Sequence, residues 1–464
     1  MNSGDTAWVL ASAALVLLMT PGLALFYGGM VRAKSVLNMM MMSFGALALI
    51  SVLWVLYGYS EAFGNDVGAG LVGNPFEFFG LNGLIGAGTA GGSFTDVPSN
   101  HMFLTLPVMA FVAFQAVFAI ITVALISGAI ADRARFGPWM LFSGIWATVV
   151  YFPVAHWVFA FSAAAPGTAQ AETGGWIANS LKAIDFAGGT AVHINAGAAG
   201  LALALVLGKR VGFARDPMRP HNLTLVMTGA GLLWFGWFGF NAGSALAANG
   251  QAAEVWITTM VATGAAALGW LITEKIRDGH ATSLGAASGI VAGLVAITPS
   301  CSSVTPIGAI FVGLIAGILC ALAVSLKYKL GFDDSLDVVG VHLVGGLWGT
   351  VSVGLFLSSA TTAGQGYGTA GLFYGGGVDQ LWRQVVGALA VLVFSFVVTY
   401  IIGFAIQKTW GFRISEEDEV TGIDSVVHAE TAYDLTSLGG GAGHGTSLIG
   451  QAHAEARNTE GVRS

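Results

Sequence analysis

The chain has 464 residues, of which 55% are hydrophobic and only 9% are charged, whereas a soluble domain carries about 25% charged residues; this composition excludes a water-soluble globular protein. The formal net charge is −7 and the few Lys and Arg residues are scattered between apolar stretches, which excludes a nucleic-acid binder. The two cysteines, Cys301 and Cys320, lie in or near apolar segments, so a disulfide framework is excluded and buried free thiols are expected.

Eleven apolar segments of helical length follow one another along the chain. Their apolar runs are continuous, which is typical of helices and not of barrel strands, where apolar and polar residues alternate. The sequence therefore predicts an all-α polytopic protein of the cell (plasma or inner) membrane with eleven transmembrane helices. The segments cover residues 6–31, 38–60, 101–127, 138–160, 185–208, 221–247, 252–273, 281–298, 304–326, 337–358 and 382–407.

Positive charge follows every odd-numbered segment, so that 16 of the 18 Lys and Arg residues fall on one side. The positive-inside rule makes that side cytoplasmic and places the N-terminus outside and the C-terminus inside. We expect residues 1–407 to form the membrane domain and 408–464 a cytoplasmic tail that is disordered after about residue 438. Two long outer loops, 61–100 and 161–184, are expected to form extracytoplasmic caps.

The fifth and tenth segments contain similar stretches, "GTAVHINAG" and "VVGVHLVGG". Each has one histidine, His193 or His342, with small residues on both sides. Segments 1–5 and 6–10 are therefore interpreted as an inverted repeat with one extra helix after it, and the two histidines would then meet near the repeat axis, where many transport folds place their pathway.

Ionisable residues inside a membrane are expensive and usually functional. A single histidine would more often be a neutral hydrogen-bonding group between two helices, but two at matching positions favour a shared site. A metal site is a poor alternative because no third ligand lies within a helical turn, so no metal and no cofactor is predicted.

Two aspartates open the segments that carry the histidines. Asp185, at the outer boundary of the fifth segment, is predicted to cap the helix and to shape an outer cation site. Asp337 is predicted to cap the tenth segment, although it precedes His342 by five residues where Asp185 precedes His193 by eight.

Aromatic residues form a further set. "AFQAVF" contains Phe118, and "LLWFGWFGFNAGSA" contains Trp237, Phe240 and Ser244. Aromatic faces can hold a small cation at roughly 0.5–2 kcal/mol per contact. Ordinary packing against lipid or protein is the alternative for any one of them.

The stretches "TPGLALFYGGMVRAKSVLN", "AFQAVFAIITVALISGAIADRARF", "DFAGGTAVHINAG", "GWFGFNAGSA", "GLVAITP" and "DVVGVHLVGG" together resemble the ammonium transporter family (Amt/Mep/Rh), closest to its bacterial Amt branch. They occur in order over roughly residues 5–433 and cover the predicted membrane domain and the proximal tail. The resemblance implies a homotrimer of eleven-helix subunits, each with its own pore.

The resemblance also implies roles for individual residues. The twin pore histidines match His193 and His342, and Trp237 matches a pore-lining tryptophan. The remaining matches are Phe118 and Phe240 with a phenylalanine gate, Ser244 with the hydroxyl of an outer recruitment site, and Asp185 with the aspartate that organises that site.

One position departs from the family. A tryptophan usually ends the outer "H-x-x-W" stretch, whereas "AHWVF" ends in Phe159 and carries Trp157 two residues earlier. Phenylalanine is a weaker cation–π partner than tryptophan. Either the outer affinity is lower, or Trp157 or the 161–184 loop compensates.

The function implied is transport of ammonium, with methylammonium as an analogue. NH4+ would be recruited outside and deprotonated, and NH3 would cross a hydrophobic pore with or without a relayed proton. An ammonium sensor of the same fold is the main alternative; an enzyme is disfavoured because no nucleophile or metal lies beside the histidines. A PII-type regulatory protein at the cytoplasmic face is a partner that the resemblance suggests.

Overall fold

The computed structural model describes residues 2–84, 105–162, 174–367 and 369–433. Within these ranges the regular structure is helical, and only two isolated β-bridges interrupt it. The long apolar helices, which we number α1 to α11, are Ser3–Met30, Ala33–Phe63, Val108–Ile130, Phe136–Phe159, Gly189–Leu207, Leu223–Ala245, Gly250–Asp278, Ser283–Ile297, Pro306–Leu330, Val339–Phe356 and Asp379–Thr409.

The predicted all-α membrane architecture is confirmed: each predicted segment overlaps one of these helices, and ten of them are long and apolar enough to cross a membrane. Helix α8 has 15 residues, fewer than the roughly 20 of a spanning helix, so the count of eleven spans stays a prediction. Residues 85–104, which end the predicted 61–100 loop and begin the third segment, residues 163–173 of the 161–184 loop and the tail beyond residue 433 lie outside the described residues.

Glycines bring neighbouring helices close together, both between the two halves and within one half. A Cβ at Gly229 of α6 would lie 2.4 Å from the backbone nitrogen of Phe26 in α1, and one at Gly313 of α9 would lie 2.0 Å from the carbonyl oxygen of Ala262 in α7. No side chain fits into these gaps. Small residues at helix contacts are the usual basis of tight packing in membranes, and here they explain part of the high glycine content.

Charged residues of four loops meet on one face of the helical bundle. Arg210, which follows α5, donates to Asp132 at 3.0 Å and to Asp333 at 2.9 Å, and Arg32, which follows α1, donates to the same Asp132 at 3.2 Å. We call the face defined by these four residues the inner face and the opposite one the outer face. The charge pattern correctly placed these loops together, while the assignment of this face to the cytoplasm stays a prediction.

The proximal tail folds against the inner face. Asp424 accepts hydrogen bonds from the backbone amides of Leu37 and Asn38 at 2.9 and 2.8 Å and so caps the start of α2, and burial raises the pKa of its carboxyl. Further along, the hydroxyl of Tyr433 lies 2.9 Å from His221 Nε2. The tail is therefore part of the folded structure up to the end of the described residues.

Candidate functional site

The two predicted histidines meet in the centre of the protein. The Nδ1 atoms of His193 and His342 are 3.3 Å apart, and their ring centroids are separated by 5.4 Å at an angle of 20°. Their side chains are buried, with exposures of 1% and 3%. A hydrogen bond between two Nδ1 atoms requires one ring to donate and the other to accept, which assigns a different tautomer to each neutral ring.

Both histidines lie in a π-helical first turn. Residues Gly189–Ile194 form this turn at the start of α5 and Val339–Leu343 form it at the start of α10, and each histidine is the penultimate residue of its turn. The histidines are therefore nearer to the helix starts than the predicted segments implied. π-Turns inside helices are frequent at functional sites.

Three aromatic rings continue from His193 towards the outer face. Trp237 stacks on His193 at 5.4 Å and 18°, and Phe240 lies 6.0 Å from the same imidazole. Phe118 packs against Phe240 with 4.3 Å between ring centroids. We call Trp237, Phe240 and Phe118 the aromatic stack. Both phenylalanines are buried, so the structure describes a closed arrangement at this point.

A narrow apolar cavity adjoins the histidines. The volume open to the centre of a water molecule is about 10 Å³, which is room for about one water. Nε2 of His193 has no hydrogen-bond partner among the described residues. Apart from the two imidazoles the lining is apolar and consists of Met19, Leu23, Phe26, Ile121, Leu125, Leu233, Trp237, Phe240 and Val291.

A buried polar network holds the tryptophan of the stack. The indole N–H of Trp237 donates to the Thr298 hydroxyl at 2.9 Å, and that hydroxyl lies 3.2 Å from Oδ1 of Asn241. The amide of Asn241 in turn donates to Thr259 at 3.0 Å. The sequence analysis missed these partners, because nothing in the spacing of "GLVAITP" relates Thr298 to a residue 61 positions away.

The predicted cap on α5 is confirmed, although Asp185 lies four residues before the helix. Its carboxylate accepts hydrogen bonds from the amides of Gly188, Gly189 and Thr190 at 2.7 to 2.8 Å and from Ala191 at 3.3 Å. It also accepts one from the Thr190 hydroxyl. One carboxylate thus satisfies the amides that a helix start leaves without partners.

The predicted cap on α10 is wrong. The Asp337 carboxylate is paired with Lys327 Nζ at 2.7 Å, and it is Asp334 that accepts hydrogen bonds from the amides of Val338 and Val339, at 3.1 and 2.7 Å. Sequence proximity favoured Asp337, but the residue is turned away by its left-handed backbone, with φ at 62°.

Asp334 precedes His342 by eight residues, the same spacing as Asp185 and His193. The imperfect repeat noted above is therefore regular in this respect, and the eight-residue spacing was the signal that could have identified Asp334. Burial and the nearby charge of Asp337 raise the pKa of the Asp334 carboxyl to about 6, against the opposing effect of Lys327.

Ser244 lies at the outer end of α6, four residues after Phe240 of the aromatic stack. Its hydroxyl donates to the Phe240 carbonyl at 2.8 Å, and the residue is partly exposed. Because the hydroxyl proton is used in this bond, the oxygen lone pairs are available to accept hydrogen bonds.

Trp157 and Phe159 are not brought into this arrangement. The indole N–H of Trp157 donates to the Leu71 carbonyl at 2.7 Å, and its ring packs 4.7 Å from that of Phe394 in α11. Phe159 is buried, with an exposure of 8%, and no ring contact between described residues joins it to the aromatic stack. Nor do the described residues contain a group of three His, Cys, Asp or Glu side chains that could hold a metal ion.

Comparison with known proteins gives one consistent result. The model of the Ammonium Transporter Family matches residues 7–433. An "Ammonium transporter" of Mycobacterium tuberculosis (strain ATCC 25618 / H37Rv) is 63% identical over 444 residues, which cover 95% of this chain and 92% of that protein.

Solved structures agree. The crystal structure of Saccharomyces cerevisiae Mep2 superimposes with a TM-score of 0.77 at 35% identity, covering 90% of this chain and 88% of that one. A structure described as "Sensor Amt Protein" gives a TM-score of 0.78 at 28% identity, covering 91% of this chain and 98% of that one.

Proposed function

The chain belongs to the ammonium transporter family, and on that premise we propose that this multi-pass membrane protein recruits NH4+ at its outer face, deprotonates it, and conducts NH3 past His193 and His342 to the cytoplasm. The observation that carries the proposal is the buried histidine pair beside an apolar cavity with room for about one water. A pathway of this width and polarity suits a small neutral molecule.

The energetic reason is desolvation. Bare charge in a dry, narrow pore costs many kcal/mol, whereas a neutral amine costs much less. Ammonium and K+ are similar in size, so selection by size is weak, but only ammonium can lose a proton. A pore that admits the neutral form therefore excludes K+ by chemistry.

Recruitment is assigned to the outer end of α6. There the Ser244 oxygen accepts a hydrogen bond from the ammonium ion, and the faces of Phe240 and Phe159, which are buried in the structure, supply cation–π attraction once the outer rings move apart. Asp185 organises this site through the helix start that it caps. Movement of Phe118 and Phe240, whose rings touch in the structure, opens the way inward.

The imidazoles are the proton acceptors. His193 offers a ring nitrogen without a partner among the described residues, and its contact with His342 provides a route to a second ring. If the proton is relayed through the pair, net transport is electrogenic; if it returns outside, the protein is an NH3 channel.

Current recorded on a solid-supported membrane tests both points. Proteoliposomes that contain only this protein are given an ammonium jump, and ammonium uptake is measured in parallel. Uptake with a transient current is expected for a proton relay, and uptake without current for NH3 conduction. Absence of both would contradict the transport function.

A sensor of the same fold is the alternative function. The 63% identical relative is named as a transporter, while the structure described as a sensor is 28% identical, so transport is favoured. Uptake by the purified protein alone separates the two. No enzymatic activity is proposed.

We further propose that the protein is a homotrimer with one pore in each subunit, that residues 1–407 form its membrane domain, and that a PII-type protein binds the inner loops and tail. The mass of the detergent-solubilised protein checks the trimer. A pull-down from cells grown with and without nitrogen starvation checks the partner.

A further inference from the structure

We infer that Asp334 is the positioning residue of His342: its carboxylate holds the first turn of α10 so that the imidazole faces His193. This inference rests on the proposed function, in which the two histidines act as a pair. Asp334 would then fix the histidine-bearing turn of α10 in the inner half of the pore, as Asp185 fixes that of α5 in the outer half.

The contacts of Asp334 are directed at the turn that carries His342. The carboxylate is buried, with a residue exposure of 1%, and each oxygen accepts one backbone amide, from Val338 at 3.1 Å and from Val339 at 2.7 Å. Val339 is the first residue of the π-turn and His342 the fourth. A shift of the turn would therefore move the imidazole directly.

Asp334 is itself fixed from the opposite side. Nζ of the buried Lys327 donates to the Asp334 carbonyl oxygen at 2.8 Å and to the Asp337 carboxylate at 2.7 Å. The backbone at residue 334 thus cannot follow the helix if the carboxylate bonds are removed. The backbone at residue 334, held by Lys327, therefore fixes the position of the turn. Precise placement of a reacting group requires such a rigid support.

The first half of the molecule, segments 1–5, shows the same arrangement independently. Asp185 also lies eight residues before its histidine, also accepts the amides of a π-turn, and its turn also has the histidine as the penultimate residue. Two helices with different flanking sequences share these three features. The common element is the histidine that each carboxylate places.

Neighbouring acids have other partners, which makes the assignment specific. Asp333 pairs with Arg210 at 2.9 Å, and Asp337 pairs with Lys327. Asp337 is closer to His342 in sequence and has a carboxylate of the same kind, but this carboxylate accepts from Lys327 and from no described amide of α10. Residue 337 is therefore the matched control, provided that the substitution keeps an oxygen acceptor for Lys327.

The first test compares Asp334→Ala with the control Asp337→Asn in proteoliposomes, with maximal ammonium transport rate, half-saturation and K+ permeation as readouts. Misplacement of a reacting group by about 1 Å can cost up to about a hundredfold in rate, so Asp334→Ala should lower the maximal rate about tenfold or more and admit K+. Half-saturation should stay within about twofold of the wild-type value, because the outer recruitment site is untouched. Asp337→Asn, which keeps an oxygen acceptor for Lys327 and tolerates the left-handed backbone, should leave all three within about twofold.

An unchanged maximal rate in Asp334→Ala, or equal losses in both variants, would overturn the inference. If Asp334→Ala does not fold, Asp334→Asn replaces it: the amide oxygen can accept only one of the two N–H groups while its own NH2 group opposes the other. An intermediate rate, with K+ entering, is then expected.

A structural readout separates this inference from the proposed function. In a cryo-EM structure of Asp334→Asn, the Nδ1–Nδ1 distance between His193 and His342 should exceed the 3.3 Å of the wild type, whether or not the protein transports. An unchanged histidine pair would contradict the positioning role. Failure of the wild type to transport ammonium would contradict the proposed function alone.

Discussion

The starts of α5 and α10 are each capped by an aspartate carboxylate, but the two carboxylates lie in different surroundings. At the outer end, Asp185 accepts five hydrogen bonds, all within its own segment, and forms no ion pair with a described Lys or Arg. At the inner end, Asp334 accepts two and lies among charged loops that include Asp132, Arg210 and Asp333.

Two helix starts with the same capping geometry can therefore depend to different degrees on their capping aspartate. The start of α5 depends on a single carboxylate, whereas ion pairs also hold the loop before α10. Substitutions at the outer aspartate should therefore cost more than those at the inner one. The predictions below test this ranking and start with the residues that the two aspartates serve.

The largest effect is expected at the histidines. His193→Ala or His342→Ala removes one partner of the pair, so selective uptake of ammonium or methylammonium should be abolished, or K+ should pass. Uptake by proteoliposomes with and without competing K+ measures both outcomes. Uptake and K+ exclusion that both stay at wild-type values would disprove the twin-histidine mechanism.

The next effect compares the two aspartates directly. Asp185→Asn replaces an acceptor of five hydrogen bonds by a group with one acceptor oxygen, and bonds to charged groups contribute roughly 1.5–3 kcal/mol each. Its maximal uptake should fall about tenfold further than that of Asp334→Asn. Thr190→Val, which removes only the hydroxyl donor, is the control and should have a smaller effect. Equal losses in the two asparagine variants would break the comparison.

The sequence predicted the architecture because composition and periodicity are strong in a membrane protein. Each long apolar helix lies within or close to a predicted segment, and the histidine pair followed from two similar stretches in the two halves. The family resemblance then supplied the aromatic stack. These features depend on residue types and on spacing within one helix.

What the sequence could not predict depends on backbone direction and on distant partners. The cap on α10 was assigned to Asp337 because the left-handed turn at residue 337, which sends its carboxylate to Lys327, is not encoded in a recognisable turn signal. Thr298 became part of the site only through the folding of α8 against α6. The indole of Trp157 was directed to Leu71 by an outer loop whose path no local pattern indicates.

A moderate effect of pH on folding stability is expected from Asp334, at the inner end of α10. In the folded protein the pKa of Asp334 is raised to about 6 by burial and by Asp337, above the value of about 3.9 for an unfolded aspartate. The Asp334 carboxyl thus binds its proton more tightly in the folded than in the unfolded protein. The resulting contribution to folding stability is complete below about pH 4 and is lost as pH rises through about 6.

Thermal unfolding in detergent between pH 5 and 7 measures this contribution. The wild type should lose more stability over this interval than Asp334→Asn, which cannot titrate, and the difference should amount to a few degrees in Tm. Parallel curves for the two proteins would show that residue 334 does not titrate there. The inner aspartate would then resemble a permanently charged cap.

The smallest effect is expected at the outer mouth. Phe159→Trp supplies the better cation–π partner, and a gain of about 0.5–1 kcal/mol, a part of the whole contact energy, should lower the half-saturation for ammonium about two- to fivefold at an unchanged maximal rate. Trp157→Phe is the matched control. Its indole is committed to Leu71 and Phe394, so half-saturation should not change. The reverse pattern is an unchanged half-saturation in Phe159→Trp and a higher one in Trp157→Phe. It would assign the cation contact to Trp157, and the outer half of the pore would then differ from the inner half more than its backbone suggests.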